Sequence, residues 1–281
     1  MPTDSPAPTS RRSSTSSAAS SSSSSLDSDL AQLTLDPKTQ ALLDSFYQSE
    51  ADRESKLQEL KRSAGGGNGD EDGSREDAAE GAVDGGEIEP ISVDTFRELF
   101  KEDWQISQFW YSTPFATSLS AYISSCLPSP TSPVAFLCCP TGFVAFQHQH
   151  AQNRERRRQT KLWEFDERFG LLRKENFVKY DLNNPEEFPE EWKGSVELAV
   201  VDPPFMNEIT NLNLAKTLKA LLHPTRGRLI LLTSTSVEHH FENVYGEPPL
   251  GPLKRVEELV VRHEGGLSNG YGVWSSFEVQ Q

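Results

Sequence analysis

Five short apolar runs recur between Pro133 and Ser234, each closed by polar or turn residues: PVAFLCC, KLWEFD, FVKYD, VELAVVD and RLILLTS. They are rich in Val, Leu, Ile and Phe and lack alternation. That pattern predicts strands buried on both faces, as in a parallel sheet covered by helices. Between the last two runs lies NEITNLNLAKTLKALL, where Ile209, Leu212, Ala215, Leu218 and Leu222 fall along one helical stripe. His223-Pro224 and Gly227 stop it. A strand, a helix and a strand at this pitch form a right-handed crossover. RVEELVV and YGVWSSFEV, separated by turn-rich RHEGGLSNG, predict a closing antiparallel pair. Residues 91–281 therefore read as one doubly wound α/β domain.

The pattern upstream is different. Met1 to Leu26 is nearly all Ser, Thr, Pro and Ala, with serine at every position from Ser20 to Ser25. So little apolar surface cannot offset ordering entropy, and a disordered arm is expected over 1–29. The arm lacks the apolar core of a secretory signal. Arg11 and Arg12 give it some likeness to a transit peptide, but no amphipathic Arg-bearing helix accompanies them. Within 30–62, Leu42, Leu43, Phe46, Tyr47, Leu57 and Leu60 have helical spacing, and Asp36-Pro37 is a helix opening. Gly-rich and acidic 63–90 reads as a flexible linker.

Charge narrows the partners. The net charge is −15 and the sequence pI about 4.9. Phosphate-bearing partners demand a basic face, so stable nucleic-acid binding is not expected, and a basic protein partner fits better. RERRRQTK (Arg154 to Lys161) is the one basic cluster and reads as a solvated helix face. No apolar run approaches the roughly 20 residues of a membrane span. Three cysteines without a framework suggest a reducing, cytoplasmic setting, and Cys138 and Cys139 read as small buried residues. His148 and His150 have no third ligand near them, so no metal is expected. A monomer is expected.

Ligands of such sheets bind outside the carboxyl ends of the strands. The second run carries Glu164 and Asp166, the third ends at Asp181, and the fourth ends in Asp202-Pro203-Pro204-Phe205. Acids commonly end strands and cap helices. Three neighbouring strands delivering them to one edge point instead to a site. In DPPF neither proline has an N–H, and each residue preceding a proline is held extended. The Asp202 carboxylate and the Pro203 carbonyl become fixed acceptors suited to an amino group, with Phe205 offering an apolar face. Geometry alone leaves a plain Pro-Pro turn before a helix equally open.

The motifs EDWQISQFWYS (Glu102 to Ser112), WEFDERFG (Trp163 to Gly170), YDLNNP (Tyr180 to Pro185) and VVDPPF (Val200 to Phe205) occur in that order. Together they resemble the eukaryotic elongation factor 1-alpha lysine methyltransferase family, first grouped with N6-adenine DNA methyltransferases. The resemblance covers Asp94 to Phe277; LDPKTQALLDSFY also looks like the family's leading helix. It implies a seven-stranded, Rossmann-like fold that uses S-adenosyl-L-methionine. It further implies that Asp202, Pro203, Pro204 and Phe205 grip the substrate amine. Gln108, Trp110, Tyr111 and Thr113 would pack on the cofactor's methionine side. Glu164 or Asp166 would hold ribose hydroxyls, and Asp181 the adenine amino group. The first turn, CCPTGF, has one glycine, and Pro140 there removes a backbone donor. His263 and Asn269 match family positions, although their stretch also reads as a turn.

The function implied is methylation of a lysine on elongation factor 1-alpha. The alternatives are N6-adenine methylation of RNA or DNA, since DPPF serves both amines, and a non-catalytic binding module. The acidic chain favours protein. Asp202 is expected to hold and orient the amine rather than to act firmly as base, because an ionised carboxylate would keep the lysine proton on.

Overall fold

A computed structural model describes residues 36–64, 89–266 and 270–278. The chain divides into two compact units, Met1–Ala51 and Asp52–Gln281. Helix α1 (Pro37–Ala64) crosses the boundary. Asp36 opens it, accepting from the backbone N–H groups of Lys38 and Thr39 at 3.0 and 3.1 Å. Leu42, Phe46 and Tyr47 on its first half are exposed. In the second unit Leu60 is buried in the core, and Lys56 pairs with Glu98 at 2.8 Å.

The second unit is built on a seven-stranded mixed sheet, the α/β architecture expected of a Rossmann-like methyltransferase. The strands are β1 (Val134–Leu137), β2 (Thr160–Glu164), β3 (Phe177–Lys179), β4 (Leu198–Val201), β5 (Arg228–Ser234), β6 (Lys254–Arg255) and β7 (Tyr271–Ser275). Their order is β3-β2-β1-β4-β5-β7-β6. The first five are parallel, and β7 runs antiparallel to β5 and β6. Every residue of β1 and β4 is buried, as their unbroken apolar runs require.

Alternation sorts these side chains into two cores. Val134, Phe136, Leu162, Val200 and Ile230 join the cluster beneath α2 (Val93–Leu99), α3 (Thr113–Cys126) and α4 (Pro140–Gln149). Ala135, Leu137, Trp163, Ala199 and Leu231 face α6 (Glu208–Leu221). Short α5 (Arg154–Arg158) leads into β2, and α7 (Phe241–Tyr245) follows β5. Among the described residues no helix is long and apolar enough to cross a membrane.

Three sequence expectations need correction. Of the predicted stripe, Ala215, Leu218 and Leu222 are buried, but Ile209 is 73% and Leu212 44% exposed, and Leu214 and Leu221 are buried instead with Asn211 and Thr217. The inward face is set partly by polar partners. Thr217 bonds Tyr180 Oη at 2.7 Å, and Asn211 Oδ1 accepts from Tyr245 Oη at 2.8 Å. Those buried phenols need partners, so small polar residues turn inward and the apolar stripe shifts. The basic cluster is a solvated face only in part: Arg154 and Arg158 are exposed, but the two arginines between them are not. Arg156 and Arg157 are 6% and 4% exposed, and Arg156 donates to the Ser129 carbonyl at 2.6 Å. Finally, RVEELVV enters the sheet as a strand only through Arg255, with Lys254 just before it; Val256 donates to Val273 O at 2.8 Å and the chain then turns.

Candidate active site

The carboxyl ends of β1, β2 and β4 meet at one edge, and the segment preceding α3 lies over it. After β1, Cys138 turns the chain with a positive φ of 52°, and Cys139 precedes the first residue of α4. A left-handed residue without glycine is strained and persists where its surroundings hold it. Here Cys138 N donates to Trp163 O at 2.9 Å. Gly142 leaves room for this turn: a Cβ there would come within 2.7 Å of Cys139 Sγ.

Strand β2 ends on Glu164, only 7% exposed. Its Oε2 accepts from the N–H groups of Phe165 and Asp166, the latter at 3.1 Å. Burial nevertheless pushes this carboxyl up to about 7. Asp166 is committed elsewhere. Burial raises it, but the Arg168 guanidinium, the Arg168 N–H and Gln108 bring it below the usual carboxylate range. Arg168 meets Asp166 Oδ2 at 2.6 Å, and Gln108 Nε2 reaches the same oxygen at 3.2 Å. Of these two acids, Asp166 is held in an ion pair, whereas Glu164 feels Lys179 only at a distance.

Strand β4 ends on Asp202, whose N–H donates to Leu137 O at 3.1 Å and ties it to β1. The side chain is half-buried by area, but it lies at the floor of a cleft with protein packed around it. Burial raises its carboxyl to about 7; a hydrogen bond from Tyr111 Oη to Oδ2, at 2.5 Å, works against the rise, and Glu164 adds to it.

Two joined cavities occupy this edge. The smaller is bordered by Gln108, Tyr111, Pro140, Glu164 and the Asp202-Pro203-Pro204 turn. The larger extends past Glu164 to Phe165, Asp181, Leu182 and Phe205. Gln108, Cys138, Glu164 and Pro204 border both. Asp181 also organises its own turn, accepting from Asn183 N at 2.8 Å. Phe205 is 48% exposed at the mouth.

Two expected contacts sit differently. Trp110 borders the smaller cavity, but its indole turns into the core: Nε1 donates to Phe100 O at 2.6 Å, and Phe96 and Phe169 pack against it. Thr113 borders neither cavity, and its hydroxyl donates to Asp94 Oδ1 at 2.7 Å. His263 borders the smaller cavity through a bridge with Tyr111, and burial lowers its pKa. Asn269 lies outside the described residues. Tyr271 was not singled out in the sequence, yet it borders the same cavity, its phenol raised by burial and by Asp202. The signal was the antiparallel pairing. Because β7 runs opposite to β5, with Tyr271 opposite Ser234, the first residue of β7 arrives at the edge where the parallel strands end.

This set of acceptors suits a nucleoside-bearing ligand. A buried carboxylate uses one oxygen on backbone N–H groups and leaves the other for vicinal hydroxyls. Phe165 and Leu182 give apolar flanks beside Asp181, which can accept from an exocyclic amine. The family described as "Probable N6-adenine methyltransferase" matches residues 102–279. Similar proteins include the Saccharomyces cerevisiae protein-lysine N-methyltransferase EFM5, 34% identical over 192 residues (64% of this chain, 74% of that protein). Caenorhabditis elegans protein-lysine N-methyltransferase M142.8 is 28% identical over 185 residues, covering 64% and 81%. Human EEF1A lysine methyltransferase 1 is 26% identical over 194 residues, covering 68% and 83%.

Proposed function

The chain belongs to the methyltransferase family just matched, and from that premise we propose that it uses S-adenosyl-L-methionine to methylate a lysine of translation elongation factor 1-alpha. The target is suggested by the names of the yeast and human relatives, which are lysine methyltransferases and in the human case name that factor. The observation that carries the chemistry is the placement of Asp202, on a turn stiffened by two prolines, in one cavity with buried Glu164.

When bound, S-adenosyl-L-methionine supplies an electrophilic methyl group. The chain's part is to bind and aim. Glu164 holds the ribose hydroxyls, Asp181 the adenine amino group, and Gln108 borders both parts of the cleft. Asp202 and the Pro203 carbonyl orient the amine, and Phe205 covers the alkyl chain of the incoming side chain. Neither proline can donate, so the turn presents acceptors to the amine. Orientation of this kind can lower a barrier by about 7–11 kcal/mol. A lysine ammonium, with a reference pKa near 10.4, must lose a proton before its nitrogen can attack. An ionised Asp202 would hold that proton on rather than take it away, so its part is to orient the neutral amine once the proton has left to water. The proposal carries a cytoplasmic location with it, in keeping with three free cysteines.

Nucleic acid is the competing acceptor. The acidic chain, and the burial of two arginines of its only basic cluster, favour protein. Labelled S-adenosyl-L-methionine incubated with purified elongation factor 1-alpha, and separately with total RNA, tests the choice. Label in the factor is expected; label in RNA alone overturns the proposal.

A further inference from the structure

The mount of Tyr111 is unusual for a residue expected to touch the cofactor. Its ring is 1% exposed and packs edge-on to Phe115 and tilted against His263, with centroids at 4.9 and 5.1 Å. Its backbone is bridged to His263, and its carbonyl accepts from Arg97 at 3.4 Å. A ring held on two sides, on a backbone held by a second segment, has no freedom to swing its hydroxyl elsewhere. That hydroxyl donates to Asp202 Oδ2 at 2.5 Å, across 91 residues of chain.

We propose that Tyr111 is the positioning residue of this site: its phenol clamps Oδ2 of Asp202, favours the anionic carboxylate over the protonated one and leaves Oδ1 as the acceptor for the substrate amine. This rests on the reading of Asp202 as the residue that grips the amine. The surroundings explain why a clamp is needed. The titratable groups facing Asp202 are Cys138 and Cys139 from the turn after β1, Glu164 from β2, Tyr111 before α3, and His263 and Tyr271 from the segment leading into β7. None is a permanent cation. Burial and Glu164 raise the Asp202 carboxyl, the phenol is the group that opposes them, and the balance stands at about 7. Without it Asp202 would be largely protonated at neutral pH and would become a donor where an acceptor is required.

The test is Tyr111→Phe, which preserves the packed ring and removes one oxygen. The carbon-13 carboxyl resonance of Asp202 is titrated in the protein without added ligand and assigned by its disappearance in Asp202→Asn. A lost hydrogen bond to a charged group predicts a midpoint raised by about one to two pH units. Turnover at saturating cofactor should fall roughly 5- to 50-fold at pH 7 and recover to within about twofold near pH 9.5, because the acid limb moves with the carboxyl. Cofactor affinity should stay within about twofold. An unmoved Asp202 midpoint overturns the proposal, as does a loss of turnover equal at every pH combined with weakened cofactor binding. Should the phenylalanine variant fold poorly, 3,5-difluorotyrosine installed at position 111 supplies the opposite perturbation. A more acidic phenol donates more strongly, so the Asp202 midpoint must fall, and a midpoint that stays put or rises overturns the clamp. The titration is independent of substrate. A wild-type enzyme inert on elongation factor 1-alpha would remove the functional reading while leaving the clamp to be judged by its own shift.

Discussion

Replacing Glu164 by Gln should make the protein more stable and a poorer enzyme. Glu164 is 7% exposed, and its carboxyl is raised from 4.5 to about 7, chiefly by burial. The folded state therefore binds this proton more tightly than the unfolded chain does. Between pH 4.5 and about 7 the native form holds the extra proton, so stability falls as pH rises through that window and the full penalty is present above it. A rise from 4.5 to about 7 corresponds to at most about 3 kcal/mol, since relaxation and water entry reduce the penalty. Glutamine keeps an acceptor for the Phe165 and Asp166 N–H groups and cannot ionise. For a unit of this size, Glu164→Gln should raise Tm by at most about 6–12 °C at pH 8, and by almost nothing at pH 4, where the wild-type carboxyl is protonated in both states. Calorimetric scans at the two pH values provide the test. The same substitution should weaken cofactor binding by about tenfold or more, since a charge-assisted acceptor is lost. Greater stability with poorer binding is the mark of a residue kept for function. A Tm gain of equal size at both pH values, or none at pH 8, would refute the claim that a buried charge is being carried.

Other outcomes follow from the geometry. Asp181→Ala should weaken cofactor affinity measured by calorimetry, and unchanged affinity would leave Asp181 only its turn-forming bonds with Asn183 and Asn184. Thr113→Val should leave cofactor affinity within about twofold, because that hydroxyl meets Asp94 and not the cleft. Ile209→Glu should change stability by no more than about 0.5 kcal/mol, given that the side chain is 73% exposed. A loss of 2 kcal/mol or more (roughly the penalty for a core substitution) would restore the apolar stripe inferred from spacing.

The buried strands were legible because a strand covered on both faces has no solvent side to encode, so PVAFLCC and the LAVV of VELAVVD are apolar throughout. Their closing acids were legible for a related reason: a polar residue that ends such a run must sit at the sheet's edge. What spacing could not show was which acid would be free. Asp166 and Glu164 differ by two positions, and the difference in their roles comes from Arg168, which folds back onto Asp166. Nor could spacing show that Thr217 and Asn211 would turn inward, since the demand for them arises from Tyr180 and Tyr245, distant in sequence. Trp110 illustrates a third limit. Its motif placed it at the site, while its indole found Phe100 O and the aromatic core. Tyr271 depends on strand direction, a property of topology that no local window contains.

The central claim is that the DPPF turn presents Asp202 to a protein amine. It is tested most directly by incubating purified elongation factor 1-alpha and S-adenosyl-L-methionine with the wild-type chain or with Asp202→Asn, and measuring the factor by peptide mass spectrometry. The account predicts one lysine carrying the mass of added methyl groups with the wild-type protein. With the variant the site should stay unmodified, while calorimetry shows cofactor affinity retained. Equal methylation by the variant, or a wild-type enzyme that leaves every lysine of the factor unmodified, would contradict it.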